Sequence, residues 1–293
     1  MRGWMVLSVL VAALVGCGAS VPPGSGGGGG GGGRYTVARL ESPGAFFLAG
    51  GGDLAPLTLQ RFVEQAGGKG APVVVVPFAG GAVEGERYRR AFSALGAQVT
   101  VLTGNAAERD AELAAMRGAN GLFFPGGLVE KLLGDMGPFQ AAARAAWQAG
   151  CVIGGSSAGA MAWGDRVIVR GEADSVSAAG LDEAKGGAAV RPGLGLLAGT
   201  IVDPHFRERG RLHRLWLAAG ETGKLGVGLD EDTAVVVTGG GTVRVVGPGT
   251  VTLIRPEGGA GGPARMTILK QGQEANWADW AIGDARSGDR API

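Results

Sequence analysis

Histidine and cysteine each occur only twice in this chain of 293 residues, and neither sign of charge is in excess. The 27 Lys and Arg set against 26 Asp and Glu leave a formal net charge of +1, so the basic footprint of a nucleic-acid binder is missing. Beyond Cys17, near the N-terminus, only Cys151 remains, which excludes an internal disulfide in the folded body. With His205 and His213 the only imidazoles, any histidine base is one of two residues. A long hydrophobic run is missing as well. The apolar stretch from Gly3 to Gly16 falls short of the about 20 residues that a bilayer crossing takes.

That stretch, preceded by one arginine, fits the apolar region of a secretory signal. Its end, Leu14-Val15-Gly16-Cys17, resembles the bacterial lipoprotein signal, in which the cysteine becomes the lipidated first residue. Residues 1–17 therefore read as a lipoprotein-type signal with Cys17 as the lipidation site. The alternative is an ordinary signal peptide that happens to hold a cysteine. Residues 18–34, dominated by glycine, bury no apolar area and read as a flexible linker. The expectation is an exported protein of a bacterial cell envelope, held to a membrane by lipid. From Tyr35 onward the chain is long enough for one large domain.

Within that body, short apolar runs without hydropathy alternation predict buried parallel strands at 45–49, 72–76, 98–102, 121–124 and 151–154. Between them, apolar residues spaced three and four apart predict helices over 57–66, 86–95 and 108–116, followed by an alanine-rich helix over 138–149. The alternation implies an α/β fold, a mostly parallel sheet covered by helices on both faces. Three short strands joined by glycine turns over 234–254 predict a small antiparallel extension near the C-terminus. Sites in such sheets lie at the carboxyl ends of the strands, and there the glycine clusters fall: 50–52, 80–81, 126–127 and 154–155.

One of these clusters carries a hydroxyl. Gly155-Ser156-Ser157-Ala158-Gly159 satisfies G-x-S-x-G, with a strand before it and a helix after it. A sharp turn of this kind projects Ser157 as a nucleophile, and the Ala158 amide at the helix start can meet a developing oxyanion. A plain serine cap of a helix is the bland alternative. The serine needs a base. His205 follows the strand-like Gly199–Asp203 and sits in a loop, whereas His213 falls in a helix over 207–219, so His205 is the better base. The base in turn wants an acid. Glu172 is the first candidate and Asp174 the second, with Asp182 and Glu183 further off. Gly127, after the strand at 121–124, is the natural second oxyanion donor, unless it only makes a plain turn before a helix over 129–133. Arg209, Arg211 and Arg214 crowd beside His205 and suit bidentate recognition of carboxylates, unless they form a solvated basic face.

Two segments, Gly154 to Ala160 and Gly193 through Asp203-Pro204-His205 to Arg214, together resemble the cyanophycinase and aspartyl dipeptidase family of serine peptidases, the cyanophycinase branch above all. Gly226 to Ala234 supports the likeness as a structural signature. The resemblance implies a fold similar to the class I glutamine amidotransferase domain, spanning residues 35–257, with 258–293 an extension of unassigned role. It implies Ser157 as nucleophile, His205 as base and Glu172 as acid, with Ser156, Arg209, Arg211 and Arg214 on the substrate. No cofactor and no metal is implied. The expected partner is an acidic peptide or cyanophycin-like substrate, an aspartate backbone carrying arginines, and a homodimer stays open. Leu128, Val129 and Pro204 depart from the family pattern, which has polar residues there, so selectivity is expected to differ. An aspartyl dipeptidase or isopeptidase for other acidic peptides, or a silent tethered binding protein on the same fold, are the competing expectations.

Overall fold

The computed structural model describes residues 43–239 and 241–277. The signal segment, Cys17, the linker and the final part of the 258–293 extension lie outside the described residues. The first half of the body alternates strand and helix: β1 (Ala45–Ala49), α1 (Pro56–Gln65), β2 (Pro72–Val75), α2 (Gly81–Ala94), β3 (Gln98–Val101), α3 (Arg109–Arg117), β4 (Gly121–Phe124), α4 (Val129–Asp135), α5 (Gln140–Gln148), β5 (Val152–Ser156) and α6 (Ala158–Met161). Then come β6 (Gly164–Arg170), α7 (Ala173–Ala179), β7 (Ala189–Pro192), β8 (Leu197–Asp203), α8 (Leu212–Thr222) and β9 (Leu225–Leu229). The chain closes with β10 (Ala234–Val237), β11 (Thr242–Val246), β12 (Thr250–Pro256), β13 (Ala264–Lys270) and β14 (Glu274–Asn276).

These strands form two sheets. One runs in the order β14-β11-β10-β1-β5-β4-β2-β3, and its five strands from β1 to β3 are parallel. The other runs β13-β12-β9-β8-β6-β7, with β6, β8 and β9 parallel. The α/β expectation therefore holds, but a single sheet does not describe the body. The antiparallel segment at 234–254 is divided as well: β10 and β11 extend the first sheet, while β12 pairs with β9 in the second.

β1 shows why these strands read as continuous apolar runs. Phe46 and Leu48 point into one core, Phe47 into another, and all are fully buried. Side chains alternate faces, but both faces are covered, so hydropathy does not alternate. On one side the first sheet packs against α1 and α2 through edge-on and tilted rings of Phe47, Phe62, Tyr88, Phe92 and Phe123. On the other side lie Met116, Leu132, Ala143 and Trp163 together with Val202, Val227 and Leu253 of the second sheet. A third cluster, around Ile201, Leu215 and Ala218, seats α8 on the second sheet's other side.

The Gly154-Gly155 pair is inside β5 rather than in the turn after it. The short α6 returns so closely over the sheet that a methyl group on Gly159 would overlap the Phe124 carbonyl. Close approach, not chain reversal, is what glycine provides at this position. Gly134 on α4 has open space around its would-be Cβ. Gly159→Ala is therefore expected to cost at least about 1–3 kcal/mol through overpacking. Gly134→Ala should be neutral or stabilising by up to about 1 kcal/mol. Paired urea unfolding curves measure both, and equal midpoints for the two variants would contradict the packing argument.

Candidate active site

Three consecutive carbonyls, from the last residue of β1 onward, organise the site. The Ala49 carbonyl accepts the Ser157 N–H at 3.0 Å, that of Gly50 accepts the His205 N–H at 2.7 Å, and that of Gly51 accepts the Asp232 N–H at 3.0 Å. The Gly50 N–H in turn donates to the Thr233 carbonyl at 2.9 Å. The turns after β5, β8 and β9 are thereby gathered onto one short stretch of chain. Gly51 has φ +95°, and a Cβ there would stand 2.6 Å from His205 Nε2, so the imidazole occupies the space a side chain would take. A Cβ on Gly52 would meet Glu231 Oε2 at 2.7 Å. The glycine cluster at 50–52 thus clears room for an imidazole and a carboxylate.

Ser157, half-buried, begins the turn from β5 into α6 with φ 52° and ψ −117°. A non-glycine residue held there carries strain on the order of 1–3 kcal/mol, the signature of a nucleophile elbow. His205 also has positive φ, 48°. Ser157 Oγ lies 2.8 Å from His205 Nε2, and His205 Nδ1 lies 2.6 Å from Glu231 Oε1. A carboxylate can only accept, so Nδ1 carries the proton and Nε2 is left to accept from the serine hydroxyl. Burial lowers the histidine below its ordinary value; the Glu231 hydrogen bond and charge oppose this, and Arg209 and Arg211 reinforce it.

The acid beside His205 is therefore Glu231, and the expectation of Glu172 is corrected. Glu172 sits immediately before α7 and grips Arg211 instead, with Arg211 Nη2 to Oε1 at 2.5 Å and Nε to Oε2 at 3.1 Å. Burial pushes its carboxyl up, but the Arg211 hydrogen bond and the charges of Arg211, Arg214 and Arg209 hold it below the ordinary value. Asp174 is exposed on α7, and Asp182 and Glu183 form surface pairs with Lys185 and Arg191, so none of these reaches the imidazole. Glu231 had a legible signal. It lies in the acidic run Asp230-Glu231-Asp232 directly after β9, the strand beside the one that leads to His205. Its neighbours have separate work: Asp230 Oδ2 accepts from the Thr250 amide and hydroxyl, while Asp232 Oδ1 accepts from the Ala55 amide and the Thr58 hydroxyl at the start of α1.

Ser156 needs correcting too. It is the last, buried residue of β5 and does not line the cleft that holds Ser157, so it has no substrate to meet. Ser157, Ala158, Gly127, His205 and the three arginines do share one cleft, of about 220 Å³. Ala158 opens α6, where an amide lacks an intrahelical acceptor. The arginines differ among themselves. Arg214 is buried and forks onto the carboxylate of the fully buried Asp203, with Nη1 on the Gly171 carbonyl at 2.5 Å. Arg211, also buried, adds Nη1 to the Pro204 carbonyl at 2.8 Å. Arg209 is half-exposed, 3.7 Å from Glu172. The helix expected over 207–219 begins only at Leu212, because Gly210 turns left-handed at φ 60° and interrupts it. His213 is on that helix beside Trp216. Leu128, Val129 and Pro204 line the cleft, and Leu128 is 70% exposed.

Cys151 is buried, and burial pushes its thiol up to about 12, so it offers no competing nucleophile. Among the described residues no three His, Cys, Asp or Glu side chains converge on a metal-holding position, and no helix is long and apolar enough to cross a membrane.

Because the chain has only two histidines, His205 can be followed directly by NMR titration. Its midpoint is expected below 6.5. Arg209→Ala removes a repelling charge and should move the midpoint up, whereas Glu231→Gln removes a stabiliser of the imidazolium and should move it down. Shifts of the same sign in both variants would contradict the geometry.

Residues 46–245 match Peptidase family S51. A cyanophycinase from Synechococcus elongatus is 34% identical over 208 residues, which cover 68% of this chain and 63% of that protein. A cyanophycinase from a Nostoc species is 31% identical over 208 residues, 68% of each chain. The chain thus spans just under two thirds of the length of the Synechococcus relative. The crystal structure of a peptidase from an acI-B1 Actinobacterium shares the fold, with a TM-score of 0.58 and 21% identity over 83% of this chain and 98% of that one. The family match runs from β1 through the serine, the histidine and Glu231: this chain belongs to peptidase family S51.

Proposed function

We propose that this chain is a serine peptidase that hydrolyses cyanophycin or related β-aspartyl peptides. The observation that carries the reading is the unbroken line from Ser157 through His205 to Glu231, at 2.8 and 2.6 Å. Ser157 Oγ attacks the scissile carbonyl as its proton passes to His205 Nε2. Glu231 holds the imidazole in the required tautomer and stabilises the imidazolium that forms. The amides of Ala158 and Gly127 receive the oxyanion, and a donor so placed contributes about 2.7–4 kcal/mol to the barrier reduction. His205 then returns the proton to the leaving amine, and a water activated by the same base hydrolyses the acyl ester. Arg209 and the Glu172-facing edge of Arg211 receive a substrate carboxylate by charged hydrogen bonds.

A second reading rests on the cleft wall. Leu128, Val129 and Pro204 offer no side-chain donor, so a substrate whose polar groups would face them leaves those groups unpaired. This favours an aspartyl dipeptidase or isopeptidase acting on acidic peptides other than cyanophycin. A silent binding protein has no need of an activated serine.

A fluorophosphonate should label the wild type covalently and leave Ser157→Ala unlabelled. Incubation with cyanophycin and, separately, with α- and β-aspartyl dipeptides, read by mass, identifies the substrate. His205→Ala and Glu231→Ala are each expected to lower kcat/KM by about 10⁴-fold, while His213→Ala keeps most activity. Equal losses for both histidines would overturn the assignment of the base. Absence of both labelling and cleavage would leave only binding.

The same proposal places the enzyme outside the cytoplasm, anchored through a lipid on Cys17, on the strength of Leu14-Val15-Gly16-Cys17 following an apolar run. Cys17→Ser should move the protein from the membrane fraction to the soluble fraction. Retention in membranes would rule out lipid on Cys17 as the anchor.

A further inference from the structure

We propose that Glu172 is a displaceable internal ligand of the arginine cluster, which an acidic substrate must replace in order to bind, and that this exchange sets the cleft's affinity for free carboxylates. The substrate side of the argument rests on the function proposed above; the geometry of the exchange does not.

The cluster has a fixed side and an open side. On the fixed side, Asp203 is fully buried and takes the fork of Arg214, with Arg211 Nη1 3.5 Å away. The Gly171 carbonyl accepts from Nη1 of Arg214, and the Pro204 carbonyl from the same Nη1 of Arg211. On the open side, the Nε and Nη2 groups of Arg211 both point to Glu172. Those two parallel donors are the arrangement that recognises a carboxylate from solution. The side chain of Arg211 is only 6% exposed, whereas that of Glu172 is 57% exposed. The acid is therefore the member of the pair with room to leave. Rotation about its own side-chain bonds carries it into water without moving the backbone.

The outer edge of Arg211 is the buried bidentate edge on which an incoming carboxylate would displace Glu172. Arg209, at 3.7 Å from Glu172, supplies charge from the cleft side, and Arg214 is already committed to Asp203. Two carboxylates on one arginine edge repel, so binding and departure are coupled. Occupancy by the internal acid then lowers apparent affinity by the fraction of molecules with a free edge. If nine molecules in ten hold the contact, removing it tightens carboxylate binding about tenfold. Glu172 is in this way a specificity-determining residue: it taxes substrates that present a carboxylate and leaves neutral ones untaxed.

The test uses the full chain and a probe that no peptidase consumes. Succinate binding is measured by titration calorimetry for wild type, Glu172→Gln and Glu172→Ala, with succinamide as the neutral control. The glutamine variant keeps the shape and guards against misfolding of the alanine variant. Succinate is expected to bind about tenfold more tightly to the variants. The gain should vanish when Arg211→Ala is added, and succinamide should show none. In steady-state assays KM for an acidic peptide should fall more than kcat changes. Equal or weaker succinate binding in both variants, or no measurable binding by either, would overturn the proposal and leave Glu172 as a fastener of Arg211. Tighter succinate binding without fluorophosphonate labelling of Ser157 would reject the peptidase reading while the exchange stands. Labelling without tighter binding would do the reverse.

Discussion

The hydrogen bond from the His205 N–H to the Gly50 carbonyl ties the end of a strand in the second sheet to the end of a strand in the first. The contact between Ser157 and His205 depends on it. Ser157 comes from the first sheet, His205 and Glu231 from the second, and nothing within either sheet brings an imidazole to a hydroxyl. Ala49, Gly50 and Gly51 solve this with backbone alone, each offering a carbonyl to one incoming turn. Backbone bonds fix position without occupying the space that the side chains need. The absence of a Cβ at Gly51 lets the imidazole lie against the chain that holds it.

Around that junction the charges fall into two separate sets. Glu231 serves His205, and Asp203 and Glu172 serve the arginines. Keeping them apart has a chemical consequence. The arginines are near enough to favour the neutral imidazole, while the hydrogen bond and charge of Glu231 oppose them, so His205 stays a base that can still accept a proton. Had Glu172 been the imidazole's partner, Arg211 would be buried with two donors facing no acceptor, a costly arrangement. The observed division satisfies both groups.

Much of the fold could be read from the chain. β1, β2, β4 and β5 appear where apolar runs predicted them, because a strand buried on both faces has to be apolar throughout. Ser157 and His205 were equally legible, one from its glycine-flanked turn and the other because only two histidines exist. Glu172 misled for a physical reason. A carboxylate near the serine in sequence fits an acid for the histidine, and local sequence does not reveal that an arginine from another turn will claim it. Ser156 misled similarly, since strand alternation turns it into the buried core while its neighbour faces the cleft.

What the sequence determined by itself was local: which runs are buried, where the chain must approach itself closely, and which two residue types could serve as nucleophile and base. Tertiary structure alone decided the pairings, namely the division into two sheets, the choice of Glu231 over Glu172, and which arginines are spent on Asp203. Propensity and periodicity act over a few residues. The partner of a buried charge is chosen by whichever opposite charge the fold brings within hydrogen-bond reach, and here that partner lies 26 residues away for His205 and 39 for Glu172.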